Sequence, residues 1–303
     1  MTMTDTLWHI GGQILLPLTD PTSRTFLPFL LLAALGACVF HRLKHGRSSW
    51  KKALATHTWR HPSALLDLQL LLARRLLAIV GLVPVIGGAW WLAIRVSTSL
   101  DQWLGLPDAP TLSIGIMSLA YTAVLFIVWD ASRFILHLAM HKIPVLWQFH
   151  QVHHSAQVLT PLTFHRIHPA ESILYGLRGT LTTGLMAGLA FWMFRGAATE
   201  YTIIGVHSVG FVLNALTGNL RHSHAWIRFP TGVEHWLLSP AQHQVHHALD
   251  AKHHNANFGT WIACWDRLLG TLQTAPEQPI SEVGLGESNH NPRLLVSVLL
   301  API

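Results

Sequence analysis

Five apolar runs, separated by shorter polar or basic stretches, organise the chain up to residue 216. The first, Phe26–Phe40, is short for a bilayer crossing of about 20 residues, but Leu27–Leu43 spans with a tilt. Residues 64–75 read as an amphipathic helix ending at Arg74 and Arg75. The second run, Leu76–Val96, carries Pro84 and Gly87–Gly88, which membrane helices tolerate as kinks. The third runs from Leu112 to about Trp129 and continues into a histidine-bearing segment. Ile173–Phe194 and Tyr201–Leu216 form a hairpin around Arg195–Glu200. Thr217–Pro276 is polar, rich in His and Trp, and too charged to span. The pattern predicts an all-α integral membrane protein with about four to five transmembrane helices and a helical cap. It divides into an N-terminal anchor region, 1–111, a histidine-bearing domain, 112–276, and a tail, 277–303.

Charge orients this arrangement. Arg42, Lys44, Arg47, Lys51, Lys52 and Arg60 cluster directly after the first run, whereas 97–111 has no Lys or Arg. The positive-inside rule makes 41–75 cytoplasmic and 97–111 external, which returns the histidine cap to the cytoplasm. Residues 1–25 lack the basic start, apolar core and cleavage site of a secretory signal, so no cleavage is expected.

Composition agrees. Half of the 303 residues are apolar and 11% are charged, against roughly 25% in soluble domains. The net charge of +6 comes without an aromatic–basic recognition motif, so juxtamembrane lipid contact explains it better than nucleic acid. Cys38 and Cys264 show no paired spacing and suggest neither a disulfide framework nor a catalytic thiol.

Of the 22 histidines, 16 lie between His137 and His254. Three motifs stand out: His137-Leu-Ala-Met-His141, His150-Gln-Val-His153-His154 and His243-Gln-Val-His246-His247. Helical positions i, i+3 and i+4 share a face, so each motif presents two or three imidazoles together. Pro144 separates the first two motifs and lets the second fold back on the first. Neutral imidazole suits Fe, Zn, Cu and Ni. Eight convergent imidazoles exceed one four-coordinate zinc and fit two metal ions. The lone histidines at 9, 41, 45, 57, 61 and 290 read as interfacial or hydrogen-bonded residues.

Over about residues 120–273 the chain resembles the sterol desaturase and fatty acid hydroxylase superfamily of membrane di-iron enzymes. Beyond the three boxes, the resemblance rests on Asp130-x-x-Arg133-Phe134, Leu146-Trp147-x-x-His150 and Arg166-Ile-His168-Pro169-x-Glu171. It also rests on Arg221-His222-Ser223-His224, Ser239-Pro240, Asn257-Phe258-Gly259 and Trp265-Asp266-Arg267-Leu268-Leu269-Gly270-Thr271. It implies a di-iron domain over 112–276, with His137, His141, His150, His153, His154, His243, His246 and His247 as ligands. His222 best matches the further histidine that relatives carry upstream of the third box. His224 stands where many relatives have Asn, and Trp226 stands where His-x-x-x-His relatives have histidine, so the ninth and tenth ligands stay open. His168, His224 and His254 are possible ligands or residues that orient a ligand from behind. His165 and His253 are weighed in the same way. Asp130, Glu171 and Asp266 are candidates to hold imidazole N–H groups or to anchor Arg133, Arg166 and Arg267.

The resemblance implies an O2-dependent oxidoreductase that hydroxylates or desaturates a lipid, with two iron ions (Fe2+/Fe3+) as cofactor. The chain has no haem, flavin, nicotinamide or iron–sulfur signature, so electrons are expected from a separate ferredoxin or cytochrome and its reductase. Two other classes compete. A zinc hydrolase needs a Glu beside the first histidine of its box, which His137-Leu-Ala-Met-His141 lacks. A metal transporter or buffer would place its ligands within spans near the midplane, whereas these follow the spans.

Overall fold

The computed structural model describes residue 12 and residues 15–46, 58–79 and 88–286. The expectations for His9, His57 and His290, for most of the tail and for the basic residues at 47, 51 and 52 lie outside the described residues. So do Pro84 and Gly87 within the second expected span.

Among the described residues helix is the dominant element. Six long helices come first: α1 (Leu27–His45), α2 (Pro62–Ile79), α3 (Gly88–Leu104), α4 (Ile114–Lys142), α5 (Pro144–His154) and α6 (Pro169–Met193). A two-residue hairpin, β1 (Thr202–Ile203) and β2 (Val206–His207), precedes α7 (Ser208–Leu213) and a π turn at Asn214–Gly218. Three short helices complete the fold: α8 (Thr231–Glu234), α9 (Pro240–His246) and α10 (Cys264–Leu269).

Two helices, Leu27–Lys44 and Ile114–Lys142, are long and apolar enough to cross a membrane. Of the second expected span, Leu76–Ile79 lies in α2 and Gly88–Val96 in α3, and residues 80–87 lie outside the described residues. The fifth expected span, Tyr201–Leu216, is not one helix. Gly205 at φ 78° and Ile204 at φ 45° turn the chain into the hairpin, and helix begins only at Ser208. That leaves Ser208–Gly218 as a short apolar helix, about 16 Å long at 1.5 Å per residue.

Helices α3 and α6 pack closely because α6 offers glycine where α3 approaches. A Cβ at Gly188 would lie 2.6 Å from Val96 Cβ and 2.7 Å from the Ala93 carbonyl. A Cβ at Gly184 would lie 2.8 Å from Leu92 Cβ. Helix α6 also exposes Ile173, Leu177, Leu181 and Leu185, a stripe at helical spacing that suits lipid rather than water. Pro144 does separate the boxes: Ile143 caps the end of α4 and precedes α5 with extended backbone (φ −99°, ψ 114°).

Candidate metal centre

The three boxes arrive on α4, α5 and α9. The last is seven residues long, too short to persist alone, and is fixed at its start. Ser239 caps it, accepting the Gln242 N–H, while the Gln242 side chain accepts the Ser239 N–H. Gln242 also donates to the Glu234 and Gln273 carbonyls.

The imidazoles form two abutting clusters. His137, His141, His150, His154 and His246 compose the first; His153, His222, His243 and His247 compose the second. Within each, one nitrogen per ring lies within 4.8 Å of all the others. Helical phase explains the division. Helix α5 sends His150 and His154 to one cluster and His153 to the other. The third box sends His246 to the first, with His243 and His247 to the second. Rings of the two clusters touch: His154 stacks on His247 with centroids 4.5 Å apart.

Proton positions follow from the partners behind the rings. A carbonyl oxygen can only accept. His137 Nδ1–H therefore donates to the Phe258 carbonyl at 2.7 Å and His246 Nδ1–H to the Ala256 carbonyl at 2.7 Å. His153 Nδ1–H donates likewise to the Arg166 carbonyl at 3.3 Å. His150 Nδ1 meets Glu171 Oε1 at 2.9 Å and donates to it when Glu171 is ionised, although burial pushes that carboxyl up to about 8. In a neutral ring each Nε2 then carries a lone pair and no proton. Yet His137 Nε2 stands 3.1 Å from His150 Nε2 and 3.1 Å from His246 Nε2. His137 and His246 thus bring two lone pairs together with no proton to share, and an ionised Glu171 makes His150 the third.

Protonation does not resolve the clash. Burial, then the neighbouring imidazoles, holds His150 well below the usual histidine range. Burial likewise pulls His153 to about 3 and His246 to about 4. A cation satisfies all three lone pairs. With metal–imidazole bonds of roughly 2.0–2.1 Å, ligand nitrogens stand about 2.9–3.4 Å apart, between right-angled and tetrahedral geometry. The buried Nε2 atoms of His141 and His154 also have no partner among the described residues. In the second cluster His222 Nε2 lies 3.0 Å from His243 Nε2 and 3.2 Å from His247 Nε2. The residues present fit two metal ions.

The family model for fatty acid hydroxylases matches residues 122–271. Residues 122–271 belong to the fatty acid hydroxylase family. The ornithine lipid hydroxylase OlsE of Rhizobium tropici is 26% identical over 170 residues, covering 55% of this chain and 46% of its own length. Human cholesterol 25-hydroxylase is 26% identical over 174 residues, covering 55% of this chain and 56% of its own. Human alkylglycerol monooxygenase is 22% identical over 151 residues, covering 50% of this chain and 30% of its own. The chain thus spans about half the length of the first two relatives. No solved structure matches it.

Within this fatty acid hydroxylase region the other expected residues separate by role. Glu171 holds a cluster imidazole, as the His150 contact shows. His168 caps α6: its Nδ1 accepts the Ala170 N–H at 3.1 Å, and its ring packs on Phe149. His224 is exposed and belongs to neither cluster. His254 is exposed too, with Nε2–H donating to the Leu249 carbonyl at 3.2 Å. His253 Nδ1 meets Gln273 Oε1 at 2.8 Å, and His165 Nε2 meets the Thr25 hydroxyl at 3.2 Å.

Asp130 and Asp266 bind backbone rather than imidazole or arginine. Trp261 N–H, Ile262 N–H and the Trp265 indole donate to Asp130. Phe258 N–H, Gly259 N–H and the Thr271 hydroxyl donate to Asp266. These contacts hold the 256–262 loop whose carbonyls receive His137 and His246. Asn257, left-handed at φ 57°, bends that loop and donates to the Gln242 carbonyl.

Sequence reasoning missed Asp67. It pairs with Arg166 at 2.6 Å and accepts the Thr163 hydroxyl at 2.7 Å. Arg166 also donates to the Ser63 carbonyl and to the Ser63 and Ser155 hydroxyls. The anchor region thereby fixes the residue whose carbonyl orients His153. A lone carboxylate in the apolar run 64–73 was the available signal.

Proposed function

We propose that this protein is a membrane-bound di-iron oxygenase that hydroxylates a lipid. The observation that carries the reading is the convergence of unprotonated nitrogens from His137, His150 and His246, beside a second, four-histidine cluster. His137, His141, His150, His154 and His246 would hold one iron; His153, His222, His243 and His247 would hold the other. His222 is thus the ninth ligand.

Iron held there would supply the reduction of O2 and the oxidation of an unactivated C–H bond. The overall balance is RH + O2 + two electrons + two protons giving ROH + H2O. The protein's residues keep the rings neutral, fix their proton on Nδ1 through Phe258, Ala256, Arg166 and Glu171, and exclude water by burial. The printed activities of the three relatives are lipid hydroxylations or monooxygenations, which favours hydroxylation over desaturation. The electrons come from a separate ferredoxin or cytochrome with its reductase.

The chain is multi-pass, and its histidine cap faces the cytoplasm with the basic residues after α1. Helix α4 supports this placement. Its 29 residues reach about 43 Å, beyond a hydrocarbon core of about 30 Å, so His137 and His141 emerge past the membrane interior.

The test is lipid analysis of membranes supplied with the protein, an electron source and labelled O2. A hydroxylated lipid should gain one oxygen atom, drawn from O2 and not from water. Label arriving from water, or oxidation confined to a soluble metabolite, would refute the reading.

A further inference from the structure

A cavity of about 530 Å³ lies beside the histidine clusters. Arg24, Arg133 and Phe164 line both this cavity and a narrow space of about 40 Å³ that reaches His137, His150, His153, His222 and His243. One wall is apolar, formed by Leu125, Phe126 and Trp129 of the long helix α4. Its charged lining is cationic on balance: Arg24, Arg74, Arg75 and Arg133 meet two carboxylates, Asp20 and Glu200. Among the described residues none of these four guanidiniums has an ion pair or a hydrogen-bond acceptor. Arg24 lies over the Phe164 and Trp261 rings, and Arg133 over Tyr175.

Two other arginines contrast with these four. Arg166 is saturated by Asp67, Ser63 and Ser155, and Arg178 donates to the Trp129 carbonyl and the Ser132 hydroxyl. Three nearby acids already have donors of their own, while Glu200 is, among the described residues, the one lining acid left facing the arginines. Asp130 takes three donors, Glu171 Oε1 takes His150, and Asp20 Oδ1 takes Thr22. Burial, with the Arg133 charge next, pulls Arg24 down to about 9. Enclosed charges of one sign without partners are costly, and an anion placed among them removes that cost.

We propose that this cavity binds the anionic head of the lipid substrate, a carboxylate or a phosphate, with Arg24 and Arg133 holding it at the passage to the histidine clusters. The inference rests on the lipid-oxygenase reading above and names its substrate class. The apolar wall on α4 continues toward the membrane and accepts the adjoining chain. The oxidised carbon then lies within a few bonds of the anion. A neutral sterol or alcohol would leave the guanidiniums without partners.

The experiment uses the full chain, iron-loaded, in a neutral maltoside detergent. Oleate, oleyl phosphate, oleyl alcohol and inorganic phosphate are titrated in turn, with Trp129 and Trp261 in the cavity wall as fluorescent reporters. Oleate and oleyl phosphate should bind at least about 10-fold more tightly than oleyl alcohol, the scale of one or two charge-assisted hydrogen bonds. Arg24→Gln combined with Arg133→Gln should lose most of that preference while retaining its iron; Arg24→Lys should keep part of it. Equal binding of oleate and oleyl alcohol would overturn the proposal. So would a double variant with full iron and full preference. Inorganic phosphate binding as tightly as oleyl phosphate would show a site for free anions and overturn the lipid assignment. Binding is read without turnover, so the two readings fail separately. Selective binding without oxygenation contradicts only the oxygenase. Oxygenation of a lipid without anion selectivity contradicts only this inference.

Discussion

The helical bundle and the histidine cap are held together by different forces. Between α3 and α6 the contact is one of shape, with Gly184 and Gly188 receiving Leu92 and Val96. Around α8, α9 and α10 the helices have only four, seven and six residues. Isolated helices below about 12 residues are marginal, so the cap's order must come from elsewhere. It comes from buried side chains bonded to backbone. Asp130 and Asp266 each collect three donors, and Glu234 accepts from Phe229 N–H, Ala275 N–H and the Ser239 hydroxyl. The bundle requires only that apolar surfaces fit. The cap requires each polar partner in place, and its imidazoles form clusters that could hold metal.

The sharpest break in this comparison is at a ligand. His246→Ala should abolish lipid oxidation and lower the iron content, while the protein still inserts in membranes. Retained activity would remove His246 from the centre. Replacing exposed His254, which stands outside both clusters, supplies the contrast and should leave the iron count unchanged.

Asp266→Ala tests the cap's dependence on polar partners. It leaves the N–H groups of Phe258 and Gly259 unmatched, at a cost of roughly 3 kcal/mol or more. Hydrogen exchange should rise across 240–271 and remain unchanged in α3 and α6. Uniform exchange across both regions would show that they do not differ as argued.

Glu171→Gln keeps the shape but weakens the acceptor behind His150. Metal affinity should fall by about 10- to 100-fold, measured by competition with a chelator. An unchanged affinity would make Glu171 a packing residue.

Gly188→Ala probes the bundle alone. The added methyl meets Val96 and the Ala93 carbonyl and should cost about 1–2 kcal/mol in thermal stability, with the iron content preserved. Loss of iron in this variant would couple the two regions more tightly than their contacts indicate.

What the sequence made legible divides along the same line. Box spacing fixes which imidazoles share a helix face, because the i, i+3, i+4 relation needs no tertiary information. Pro144 announces the turn that folds α5 back toward α4. The division into five and four histidines was not legible, because it depends on how α9 and the His222 loop dock. Nor were the true partners of Asp130 and Asp266. A carboxylate near an arginine in sequence suggests an ion pair, but these two bind backbone N–H groups brought close only by the folded loop. Asp67 lies 99 residues from Arg166 and no local pattern joins them. The expected span at Tyr201–Leu216 failed because hydropathy averages over Ile204–Gly205, where the backbone turns into a hairpin.

The central claim is that nine histidines hold two metal ions. The direct measurement is the iron-to-protein ratio of the full chain, purified with iron and without chelator, alongside its lipid-oxidising activity. The account predicts two irons per active chain, with activity lost as the ratio falls toward one. Full activity with one metal ion or fewer per chain would contradict it.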